Sequence, residues 1–108
     1  MKNKNKFIAI ILFASNVFTP LAIKALPKGE AEYFLYGGGM GVANTLCELT
    51  IYKDINLETS KEFRNNFINV FKKNLRDYQV TKKGFNDGLT AMMEGSEEYR
   101  SCSLLKIN

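Results

Sequence analysis

Cys47 and Cys102 are the only cysteines in the 108-residue chain, and they constrain its fold more than any other feature. Their spacing is far from that of a C-x-x-C redox pair, and in an exported chain an isolated pair reads as a disulfide. The fold must then leave Cys47, build its remaining elements and return to the same point by residue 102. Closing a loop of that length would contribute roughly 4 kcal/mol on the chain-entropy estimate. Many small domains have a total stability of about that size.

Export is read from the N-terminus. Lys2, Lys4 and Lys6 precede an apolar run over residues 7–18, with a polar exit through Thr19 and Pro20. This is the layout of a secretory signal peptide. The run falls short of the roughly 20 apolar residues that span a bilayer, and Asn16, Pro20 and Lys24 interrupt its extension. The small residue Ala25, with Ile23 two positions before it, places the cut after Ala25; an uncleaved anchor is the alternative. The expected organisation is a signal peptide over residues 1–25 and one small domain over residues 26–108, in the periplasm or secreted, with no stable membrane anchor after cleavage.

Removing the leader changes the charge. Of 15 Lys and Arg, four (Lys2, Lys4, Lys6, Lys24) lie before the cut, leaving 11 against 11 Asp and Glu. A neutral mature chain lacks the overall positive charge expected of a nucleic-acid or anionic-membrane binder. Lys72-Lys73 and Lys82-Lys83 read as solvated helix ends.

The pattern after the leader is helical. Tyr33, Tyr36, Met40, Ala43 and Cys47 form one stripe from Glu30 to about Ile51, and Leu35, Val42, Leu46 and Leu49 form another. Asn44 and Glu48 occupy the narrow polar side, so this should be the most buried helix. A loop through YKDINLE precedes a T-x-x-E capping box at Thr59 and Glu62. Phe63, Phe67, Val70, Phe71, Leu75 and Tyr78 then give the clearest amphipathic helix, with Arg64, Asn65, Asn66, Asn69, Lys72 and Lys73 facing water. For a third helix, Phe85, Leu89, Met92 and Met93 have the right spacing, Thr81 would serve as N-cap and Gly95 as the stop. The run Asn86-Asp87-Gly88 spells the competing tight turn. Ser96 to Tyr99 would start a short turn that brings Cys102 back to the first helix. The fold class is therefore all-α, a disulfide-stapled bundle of three helices with a possible fourth turn.

Several chemistries drop out. The chain has no histidine, which removes serine–histidine and cysteine–histidine catalysis and the usual catalytic zinc sets. Nothing selects a carboxylate pair from Asp54, Glu58, Glu97 and Glu98, and the spaced oxygen ligands of a calcium loop are missing. The expectation is a non-catalytic protein without cofactor or metal.

The run YGGGMG, residues 36–41, carries four glycines. It fails the dinucleotide G-x-G-x-x-G pattern, since Val42 and Asn44 stand where the last glycine should be, and it lacks the P-loop Gly-Lys-Ser/Thr ending. A double-glycine cut at Gly37-Gly38, releasing a bacteriocin-like peptide, conflicts with the export-type leader. The favoured reading is a helix in which Gly37 and Gly41, four apart, share a face, as do Gly84 and Gly88; small residues at that spacing let helix backbones approach closely. Four glycines cost roughly 3 to 4 kcal/mol in a helix interior, which packing has to offset. A break with helix only from Val42 is the alternative.

In its order of leader, glycine-rich helix into Leu46-Cys47, amphipathic helix and last helix ending near Cys102, the chain resembles small exported helical proteins common in cyanobacterial genomes. Over Tyr33 to Cys102 it is more distantly similar to the Tai-type periplasmic immunity proteins, which are small, helical and disulfide-bearing. The resemblance implies no site residue here. The expected role is a non-catalytic exported module that binds another protein or a second copy of itself through the glycine face, with internal packing alone as the plainer use of that face; the immunity resemblance would imply inhibition of one enzyme.

Overall fold

The computed structural model of the protein describes residues 28–108. The expected leader and its cut after Ala25 lie outside the described residues. The chain forms α1 (Lys28–Ile51), α2 (Leu57–Asn69), α3 (Leu75–Gly95) and a terminal 3-10 segment (Glu97–Leu105). Among the described residues there is no strand, and the architecture is an all-α bundle.

α1 is one continuous helix through YGGGMG, so the glycines do not break it. It ends in a backbone cap centred on Lys53, whose φ of 60° is left-handed. Asp54 N–H reaches Leu49 O at 2.9 Å and Lys53 N–H reaches Thr50 O at 3.2 Å. These are the two bonds of a Schellman motif, with lysine where glycine is usual.

Two expected boundaries are corrected. α2 starts at Asn56 rather than at a Thr59 capping box, because the Asn56 Oδ1 accepts the Thr59 N–H at 2.8 Å and captures an orphan donor of the first turn. The single amphipathic helix expected up to Tyr78 is two helices. Residues 70–74 tighten into i to i−3 bonds, Phe71 N–H to Ile68 O and Lys72 N–H to Asn69 O, and the Asn74 Oδ1 then accepts the Asp77 N–H and starts α3. Val70 and Leu75, expected on the apolar face, are exposed at this turn. Thr81 is consequently no cap. It sits fully buried inside α3 and donates its hydroxyl to Asp77 O, and the helix continues through Asn86-Asp87-Gly88 to Gly95.

α1 and α3 pack directly on each other and run parallel, and α2 carries the chain back toward the start of α1, where Phe67 and Phe71 meet Leu35. Glu32 meets Arg76, Tyr36 meets Gly84 and Met40 meets Gly88, so both helices advance together. The main core gathers Ala43, Leu46, Cys47, Leu49, Ile55, Phe85, Leu89, Cys102 and Leu105, and Leu35, Phe67 and Phe71 form a smaller one near the start of α1. Full burial of a leucine or phenylalanine contributes about 1.5 to 3 kcal/mol. The 3-10 segment closes the main core and delivers Cys102 to Cys47, where the two are disulfide-bonded with Cα atoms 5.5 Å apart.

Candidate functional site

The α1–α3 contact is a backbone-on-backbone crossing, and α3 brings Gly84 and Gly88 to it. A Cβ on Gly84 would strike the Tyr36 backbone, its C atom at 2.8 Å, and one on Gly88 would lie 2.8 Å from Met40 Cα. On α1 the expected pair, Gly37 and Gly41, takes no part in this crossing. Gly38 and Gly39 are both buried, and a Cβ on Gly39 would meet the Thr81 carbonyl oxygen and the Phe85 nitrogen, the latter at 2.8 Å. Gly37 and Gly41 are exposed, and a Cβ on either meets nothing within 4 Å. The reason is phase: Leu35, Gly39, Ala43 and Leu46 form the buried stripe, and Gly37 and Gly41 lie well round the helix from it.

A polar clasp borders this crossing. The Tyr36 hydroxyl donates to Asp87 Oδ2 at 2.5 Å, and Lys83 Nζ donates to the same oxygen at 2.8 Å while lying 5.9 Å from the Tyr36 ring centroid. The Lys83 hydrogen bond, with that of Tyr36, holds the Asp87 carboxyl below its usual range. Bonding to Asp87 raises both Tyr36 and Lys83. Tyrosine and lysine thus keep their protons at neutral pH, so the cluster offers no activated base or nucleophile and ties α1 to α3. One turn nearer the start, Arg76 grips Glu32 through Nε at 2.7 Å and through Nη2. Near the disulfide, hydrogen bonding to Tyr52 pushes Tyr99 up to about 12.

The outer side of α1 is different. Tyr33 is 83% exposed, and Gly37 and Gly41 continue its line at intervals of four. Beside it lies a cleft of about 380 Å³ lined by Gly29, Glu32, Tyr33, Tyr36, Val80 and Lys83. Among the described residues no three His, Cys, Asp or Glu side chains are grouped to hold a metal ion, and no helix is long and apolar enough to cross a membrane.

Three features escaped sequence reasoning: Gly39, the asparagine caps and a clamp on the chain's last residues. Their signals were present. Gly39 is four residues from both Leu35 and Ala43, and Asn56 and Asn74 each precede a leucine and stand three residues before a residue whose N–H they take. The clamp, formed by Arg64 and Asn86, leaves no sequence pattern because its acceptors and donor are backbone atoms. No protein family, curated protein or solved structure matches the chain.

Proposed function

We propose that the chain is a small exported helical module, without catalytic activity, that binds another protein or a second copy of itself through the outer face of α1. One observation carries this reading. Gly37 and Gly41 each cost about 1 kcal/mol relative to alanine in a helix, yet no contact within the chain uses their missing side chains. Close approach of a partner helix would use them, with the exposed Tyr33 ring as an anchor at one end of the face. Export is supported by the basic and apolar N-terminal pattern and by the Cys47–Cys102 disulfide, which persists in oxidising compartments.

The test combines mass, stability and association. The chain purified from its own host should begin at Leu26. Its sedimentation coefficient should rise with concentration, or an envelope extract should yield a stoichiometric partner. Gly41→Leu should abolish that association while leaving the thermal midpoint within a few degrees. A chain that stays monomeric at millimolar concentration and captures nothing that Gly41→Leu fails to capture would overturn the proposal.

A further inference from the structure

The last residues of the chain lie against the bundle as an extended strap. Leu105 ends the 3-10 segment fully buried; Lys106 takes extended angles (φ −56°, ψ 139°) and is exposed; Ile107 turns back half-buried onto the main core. This in-out-in alternation is that of a peptide laid in a groove. The strap's backbone is read by side chains of two helices. Arg64 of α2 donates Nη1 to Leu105 O at 3.0 Å. Asn86 of α3 holds Ile107 twice: its Nδ2 donates to Ile107 O at 2.8 Å and its Oδ1 accepts Ile107 N–H at 2.9 Å.

The Asn86 pattern is the one a neighbouring β-strand would present, and it selects an extended backbone rather than a side chain. Up to Leu105 the segment is fixed by a buried anchor and by the disulfide three residues earlier. Beyond Leu105, the backbone of Ile107 is held by one amide side chain. From Asn86 a second cleft, of about 330 Å³, runs along Gln79, Lys82, Lys83 and Asp87. Lys83 is engaged by Asp87, whereas Lys82 has no acidic partner among the described residues.

We propose that residues 106–108 are a displaceable strap over a peptide-reading seat on α3. The competing ligand is an extended peptide from a partner, with an aliphatic residue for the Ile107 seat and acidic residues after it to reach Lys82. Exchange leaves the core shut, because Leu105 and the disulfide stay in place. Lys83 borders both clefts, but the seat itself, Asn86 and the Ile107 site on α3, uses no residue of the outer face of α1, so it stands whether or not that face binds a partner.

The test uses a synthetic acetyl-Lys-Ile-Asn-Glu-Glu peptide and a control with alanine for the isoleucine. Titrated into the isotopically labelled full chain, the first should shift backbone amides around residues 82–90 and the control should not. If the strap is open in about 1–10% of molecules, a chain ending at Leu105 should bind roughly 10- to 100-fold tighter. Lys82→Glu should weaken binding of the acidic peptide, and Asn86→Ala should abolish it. Equal affinity with and without the strap in a truncated chain of unchanged circular dichroism, or no shifts in either chain, overturns the proposal. Hydrogen exchange on the unmodified protein decides independently of any variant: the Ile107 amide should exchange at least about tenfold faster than those of Phe85 and Leu89, and faster still with peptide present. Exchange of Ile107 only at the rate of the core amides also overturns it.

Discussion

The inner and outer faces of α1 draw on the same six-residue run of glycines and put them to different uses. On the inner face Gly39 lies against the backbone of α3, where Gly84 and Gly88 return the fit. On the outer face Gly37 and Gly41 have only open space beside them. A glycine that lets two backbones touch contributes by what it excludes, and its replacement brings atoms into collision. A glycine facing open space contributes only chain flexibility, which lowers the stability of the isolated helix. The same substitution should therefore act with opposite sign on the two faces.

The largest expected effect lies on the inner side, where Cys47 joins α1 to the 3-10 segment. Changing both cysteines to serine should lower unfolding free energy by about 4 kcal/mol, measured by urea denaturation with and without reductant. A loss below about 1 kcal/mol would mean that the helix crossing alone holds the bundle. Next comes the crossing itself: Gly84→Ala forces a Cβ into the Tyr36 backbone and should cost about 1–3 kcal/mol. Gly37→Ala and Gly41→Ala should instead each raise stability by close to 1 kcal/mol, read as an upward shift in the thermal midpoint of the isolated chain. If both faces responded alike, the distinction between them would fail.

The smallest effects are in pH. The Asp87 carboxyl titrates below its usual 3.8, so its contribution is present above that value and is lost as pH falls through the lower, folded-state value. Asp87→Asn should flatten the acid limb of the stability curve. Tyr99 has the opposite sign. Its folded value of about 12 lies above the ordinary 10.0, so its contribution is complete below pH 10 and disappears between about 10 and 12. Tyrosinate absorbance should show this late titration, and Tyr52→Phe should bring it earlier. Both groups are close to solvent, so these shifts should shrink in high salt.

How much of this was legible in the sequence depends on whether a local pattern had one solution. Helical spacing around Leu35, Ala43, Leu46 and Cys47 favours one, although the glycines left a break before Val42 open, and α1 runs unbroken from Lys28 to Ile51. The disulfide followed from the cysteine count together with the expectation of export, and the delivery of Cys102 by a short terminal turn was readable from Ser96 onward. The spacing of Phe67, Phe71, Leu75 and Tyr78 had two solutions. The apolar residues of the sequence keep helical spacing across residues 70–74, so the pattern cannot show that Asn74 restarts the helix by taking the Asp77 N–H. Glycine spacing was ambiguous in another way. It tells which residues share a face, but a residue without a side chain carries no polarity to say whether that face turns inward. Only the flanking Leu35 and Ala43 fix it. The Asn86 clamp was invisible for a third reason, since its partner is the backbone of Ile107, and any residue there except proline would accept the one bond and donate the other.

The burial of the disulfide has a consequence for timing. Cys47 and Cys102 are 0% and 1% exposed, in one buried cluster with Leu105, Phe85 and Leu89. An oxidising partner or small disulfide reaches a thiol only where it is open to collision. The bond must therefore form while the 3-10 segment is still loose. A chain that packs Leu105 first would shut its own thiols away, and its maturation would then wait on local unfolding.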